Sequence, residues 1–221
     1  VEDLPVFPYG CDSSYSWSKR YKHLQKKETV EEVVEKLLAQ LKHENHLAFT
    51  GGEPLLKAAQ KNIVKIIEFL VVCIKHPMSV KRFPKITIET NGTRDLIPEL
   101  HNTIQASSTE FFFSVSPKIF GTSGEKDGIR PEVVAGYNRA SSAGQLKFVC
   151  NGSDRSWDEI EDAIKQFRKA GVEYPVWIMP VGATEESQHD NAAMVAEQTM
   201  DRGYNVSARV HCYIWGNQIG T

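Results

Sequence analysis

Six short apolar runs separated by amphipathic stretches fix the fold class of this chain before any single residue is considered. HLAFT (46–50), KITIE (85–89), EFFFSV (110–115), QLKFVC (145–150), PVWIM (175–179) and VSARVHC (206–212) are rich in β-branched and aromatic residues and read as strands. Helical periodicity fills the gaps. Within 29–43, Val30, Val33, Val34, Leu37, Leu38 and Leu41 share a face, and Thr29 with Glu32 has the spacing of a capping box. Further helices are predicted over 55–75, after Asp95, from Pro131, over 156–170 with Ser156 and Glu159 as its capping box and Gly171 just past its end, and over 185–202. Strand starts recur roughly every 30 residues, the length of a βα unit. Strands that alternate with helices in this way make a parallel sheet or a barrel-like α/β fold. Six strands fall short of the eight of a full barrel.

In parallel α/β folds ligands bind at the C-terminal ends of the strands. The stretch LAFTGGEPLL (47–56) shows the pattern: an apolar strand runs into Gly51-Gly52, an acid and a proline. Glycines there permit close backbone approach, and Pro54 suits the first turn of a following helix. The other strands end similarly, in Glu89-Thr-Asn91-Gly-Thr93, Ser114-Val-Ser116-Pro117-Lys118, Asn151-Gly152 and Met179-Pro180-Val-Gly182. Any one such loop is an ordinary turn. Five in phase, two carrying a carboxylate and one a lysine, assemble a polar rim and point to a binding site.

Composition narrows the ligand. The 221 residues carry a formal net charge of −2, so no basic field draws the chain to nucleic acid, and the basic patch at 19–27 reads as solvated surface. No apolar run approaches a membrane span, and VEDLPVFPYG has no secretory pattern. Four cysteines do not make a disulfide scaffold, so a reducing, cytoplasmic setting is expected. A nucleophile elbow, a P-loop and a helix-borne zinc motif are all absent. The seven histidines have no ligand spacing; His211 stands out because it falls on the last expected strand. Cys73, Cys150 and Cys212 read as small hydrophobic residues, whereas Cys11 lies in the polar, glycine-led loop YGCDSSYSW.

Together, TGGEP, ETNGT, SVSPK, LKFVCNG and the terminal YIWGNQIG resemble the radical S-adenosylmethionine superfamily, and within it the 7-carboxy-7-deazaguanine synthases, from about Gly10 to Thr221. The resemblance implies an incomplete TIM-like barrel of about six parallel strands with flanking helices in a single domain over 1–221. It implies reductive cleavage of S-adenosylmethionine to a radical that abstracts a substrate hydrogen, with a pterin substrate, a 4Fe–4S cluster and Mg2+. A flavodoxin or ferredoxin would donate the electron, and the protein would be a homodimer. Residue by residue, Gly51, Gly52 and Glu53 would hold the methionyl amino group. Ser114, Ser116, Pro117 and Lys118 would help bind the cofactor, as would Met179 and Pro180. Asn91 would lie near the ribose or substrate, Glu89 would be catalytic, and Thr50 and His211 would contact substrate. Cys11 would be an iron ligand, and Ser13, where the family usually has threonine, a magnesium ligand through its hydroxyl oxygen.

The chain departs from the family at the cluster. Pro8, Tyr9 and Gly10 precede Cys11, and no Cys-x-x-Cys occurs. This resembles a phage-like branch whose early cysteines are separated from the GCDS cysteine by an insertion. The chain is expected to lack the family's N-terminal strand and, holding one suitable thiolate, to bind no stable cluster by itself.

Overall fold

The computed structural model describes residues 19–41, 46–74 and 84–216. A short 3-10 helix, Lys19–Leu24, is followed by α1 (Val30–Gln40), β1 (His46–Phe49), α2 (Lys57–Ile74) and β2 (Lys85–Thr90). Then come α3 (Pro98–Ala106), β3 (Phe111–Val115), a single turn α4 (Phe120–Ser123), α5 (Pro131–Ala140) and β4 (Gly144–Cys150). The chain continues through α6 (Asp154–Lys169), β5 (Val176–Pro180), α7 (Glu185–Asp201), β6 (Asn205–Val206) and α8 (Val210–Trp215).

The six strands form one parallel sheet in the order β1-β2-β3-β4-β5-β6. Each strand lies beside its predecessor, and right-handed crossovers then place every connecting helix on the same side. Burial follows. Ile86 and Ile88, Phe111 and Phe113, Leu146 and Phe148, and Val176 and Ile178 alternate onto the helix-covered face and join one continuous core with Leu100, Val134, Ile160, Phe167 and Val195. Tyr137 of α5 stacks on Phe113, with ring centroids 4.9 Å apart. A smaller cluster of Val34, Leu41, Leu47, Ile66 and Leu70 holds α1 and α2 against β1. The opposite, helix-free face carries Thr87, Glu89, Phe112, Ser114, Gln145, Lys147, Trp177 and Met179. The architecture is thus an open partial barrel whose concave side is the polar one.

Helix ends show how local chemistry sets the elements. Thr29 and Glu32 form the expected capping box at α1, through bonds of 2.7 and 3.2 Å. The cap of α6 is Ser153, whose hydroxyl accepts from Ser156 N at 3.2 Å; the helix begins earlier than the Ser156–Glu159 pair predicts because Asn151-Gly152 already turns the chain. Gly171 does take the positive φ expected past the end of α6. The largest difference lies at the end of the chain. VSARVHC is not a strand: β6 stops after Val206, Ser207 N makes a last bond to Ile178 O at 2.8 Å, and His211 and Cys212 lie on α8. The basic stretch at 19–27 is not wholly solvated either, since Tyr21 is buried.

Two buried tyrosines give the fold an alkaline limit. Tyr137 donates to Arg94 O and Tyr174 to Ser141 O. Burial pushes both phenols above tyrosine's ordinary range; for Tyr137 the Glu53 charge adds to it. The folded chain therefore keeps protons that the unfolded chain sheds above pH about 10, so this stability is intact below that pH and lost above it. The unfolding free energy, read from denaturant melts, should fall beyond pH about 10, by up to about 1.4 kcal/mol per pH unit for each such tyrosine. Tyr137→Phe should make the fall shallower, and a flat midpoint up to pH about 11 would overturn this.

Candidate functional site

The polar rim expected from the sequence exists, and its first three loops are knitted together by one side chain. Glu53 leaves β1 through Gly51 and Gly52, which take φ of 83° and 61°, values that disfavour any side chain. Its carboxylate then turns inward. Oε1 accepts from Leu55 N at 2.9 Å and from Thr90 Oγ1 at 2.8 Å, and Oε2 accepts from Asn91 N at 2.9 Å. A carboxylate offers about four lone-pair sites, so three are already used and one, on Oε2, remains. The same bonds keep Pro54 and Leu55 in a turn, and α2 starts only at Lys57, two residues later than expected.

Beside this brace, Thr50 Oγ1 donates to Glu89 Oε2 at 2.9 Å across β1 and β2. Glu89 is exposed on the concave face, and among the described residues its Oε1 has no protein partner. Asn91 Oδ1 accepts from Thr93 N and Thr93 Oγ1 at 3.0 and 2.6 Å, and these bonds do not use its NH2 group. On β3, Ser114 is buried and accepts from Gln145 Nε2 at 2.9 Å. Ser116 N donates to Thr90 O at 2.8 Å, carrying the ladder one residue past the strand. Pro117 is buried and Lys118 half-buried, its ammonium 3.4 Å from Ser116 Oγ. Lys118 is held from behind by Gly128, where an added Cβ would meet Lys118 O at 2.2 Å.

Met179 lies half-buried on the concave face of β5, and Pro180 O accepts from the buried Gln188 of α7 at 3.1 Å. His211 lies on α8, 3.4 Å from an Arg209 guanidinium nitrogen, and Arg209 also donates to Gly182 O at 3.1 Å. Sheet order therefore groups Thr50, Glu53, Glu89, Asn91, Ser114, Ser116 and Lys118 on three adjacent strands, with Met179 further along the concave face on β5; Pro180 is buried in phase with Val176 and Ile178 on the helix-covered side, and His211 lies on α8 beside the loop that follows β5. Glu53 as an internal brace escapes sequence reading because its partners lie 37 and 38 residues away. Gln145, tied to Ser114, and Lys147 are concave-face residues visible in the alternation of QLKFVC.

The chemistry the rim offers suits a zwitterion. Gly52 and the free lone pair of Glu53 can take an ammonium, and Lys118 a carboxylate. An iron–sulfur cluster finds no home among the described residues, where no three Cys, His, Asp or Glu side chains converge. Cys150 is buried on the helix-covered face and burial pushes its thiol up, which opposes the thiolate a metal needs. Cys212 is buried on α8, and Cys73 lies on α2. Cys11 and Ser13 lie outside the described residues. No helix among the described residues is long and apolar enough to cross a membrane.

Residues 8–196 match the radical SAM superfamily, to which the chain belongs. It is 27% identical to the 7-carboxy-7-deazaguanine synthase of Pyrobaculum aerophilum over 98% of this chain and 84% of that protein. Synthases of the same name from Rhodopirellula baltica and Halobacterium salinarum are each 27% identical, over 96% and 94% of this chain and 75% and 77% of theirs. Among solved structures, native anSMEcpe with bound AdoMet matches with a TM-score of 0.49 and 14% identity; the match covers 88% of this chain and 59% of that one.

Glu53→Gln keeps the shape but replaces one carboxylate oxygen by an NH2 group. With the amide oxygen kept toward Leu55 N and Thr90 Oγ1, the NH2 faces the Asn91 N–H and leaves it unsatisfied. The expected loss is about 1–3 kcal/mol of stability, read from denaturant midpoints, and an unchanged midpoint would show the brace to be dispensable. Gly128→Ala should cost about 1–3 kcal/mol by overpacking against Lys118.

Proposed function

We propose that this radical SAM enzyme is a 7-carboxy-7-deazaguanine synthase, converting 6-carboxy-5,6,7,8-tetrahydropterin to 7-carboxy-7-deazaguanine with loss of ammonia. The observation that carries the reading is the similarity to three synthases over nearly the whole chain. The concave face supports it, because it sets an exposed carboxylate, Glu89, opposite a half-buried aromatic and cationic pair on β4 and β5.

S-adenosylmethionine, when bound, supplies hydrogen-atom abstraction; the protein's part is to hold and orient the reactants. Gly51, Gly52 and Glu53 hold the methionyl ammonium and Lys118 its carboxylate. Ser116, Pro117, Met179 and Pro180 would line the remainder, and the Asn91 NH2 group would serve a ribose hydroxyl. Thr50 fixes one oxygen of Glu89, so that the other, Oε1, takes up and returns the proton that ring contraction and ammonia loss require. His211, steadied by Arg209, contacts the pterin from the far side. The 4Fe–4S cluster and Mg2+ belong to this reading through Cys11 and Ser13, and no step above runs through them. A flavodoxin or ferredoxin as electron donor, a cytoplasmic location and a homodimer complete it. The exposed Val210, Ile214 and Trp215 of α8 support the dimer.

The full-length protein, reconstituted anaerobically with iron and sulfide and given reductant, S-adenosylmethionine and the carboxypterin, should release 5′-deoxyadenosine and 7-carboxy-7-deazaguanine, both read by mass spectrometry. Deoxyadenosine without the deazaguanine would reject the substrate and leave the superfamily untouched. Glu89→Gln should lower product formation by about 10²–10⁴-fold while leaving S-adenosylmethionine affinity unchanged.

A further inference from the structure

β4 places a lysine where a parallel strand has little reason to carry one. Along Gly144–Cys150 burial alternates strictly, with Leu146, Phe148 and Cys150 packed under the helices, so Lys147 projects onto the concave face. It is half-buried, and among the described residues its ammonium has no hydrogen-bond or ion-pair partner. The acid on the same face, Glu89, stands two strands away, about 10 Å across the sheet, and is engaged by Thr50. A partly desolvated cation facing a concavity without a counter-charge costs stability unless a ligand supplies that charge.

The surroundings of Lys147 say which anion. Trp177 is its direct partner in the β4–β5 ladder, and both side chains point into the concavity. Gln145, one step below on the same face, donates to Ser114. A flat aromatic wall, a cation and an amide side by side suit a planar, hydrogen-bonding heterocycle that carries a carboxylate. Lys118 differs: it stands beyond the end of β3 with its ammonium beside Ser116.

Resting on the synthase reading above, we propose that Lys147 is the substrate-selecting residue, its ammonium pairing with the carboxylate of the pterin while Trp177 covers one face of the ring. The same chemistry could instead serve the methionyl carboxylate of S-adenosylmethionine, and the test separates the two.

Calorimetry on the full-length protein would compare 6-carboxytetrahydropterin, 6-methyltetrahydropterin and S-adenosylmethionine, for the native protein and for Lys147→Met and Lys147→Gln. Both variants should weaken the carboxypterin roughly ten- to a hundredfold, the value of a hydrogen bond to a charged group. Affinity for the methylpterin and for S-adenosylmethionine should not change. Loss of S-adenosylmethionine affinity alone would move Lys147 to the cofactor and overturn the proposal. Equal losses for both pterins, or no loss in either variant, would also overturn it. A native protein that binds neither pterin would overturn the synthase reading itself, and this inference with it.

Discussion

The strict neighbour order of the six parallel strands is the constraint on which everything else rests. With each strand beside its predecessor and every crossover of one hand, every connecting helix must fall on one side of the sheet. The helix-covered face can then be uniformly apolar, from Ile86 to Ile178. Among the described residues no connecting helix covers the other face, so it can hold Glu89, Gln145 and Lys147, which would be costly in a sheet covered on both sides. A doubly wound sheet of the same strands would have forced those three positions to be hydrophobic.

Precision at the rim comes from ties between neighbouring loops rather than from packing. Glu53 binds the β1 loop to the end of β2, Ser116 N binds the β3 loop to Thr90, and Gly128 backs onto Lys118. The first two ties join segments far apart in sequence, so the rim forms only once the sheet has formed. The residues expected to touch the cofactor are therefore also residues that build the frame holding it. A substitution at Glu53 acts on both at once, and separate measurements of folding and of binding are needed to tell the two effects apart.

Much of this was legible in the residues. The runs that became β2 to β5 carry enough aromatic and β-branched residues between turn signals to be read within a residue or so. The Thr29–Glu32 capping box and the Gly171 stop are local and obey local rules, whereas Ser156–Glu159 lost to Ser153 as the cap of α6. VSARVHC failed because its alternation of apolar and polar residues is too short to tell a strand from the first turns of a helix, and the deciding fact, that pairing with β5 stops at Ser207, is tertiary. The inward turn of Glu53 could not be read, since nothing near it in sequence announces Thr90 and Asn91 as its donors. Lys147 could have been, because QLKFVC alternates in plain view and a period of two sets Lys147 opposite Leu146 and Phe148. Glycines and acids in the strand-end loops are louder signals than one lysine inside a strand.

The brevity of β6 has a consequence for how the molecule meets its own copies. Two residues, Asn205 and Val206, leave almost no ladder of open N–H and C=O groups on that margin, and the chain then turns into α8. A longer terminal strand would have offered a flat template for another chain to extend the sheet. Here, among the described residues, the sheet ends on that margin in a two-residue strand, which disfavours edge-to-edge association there.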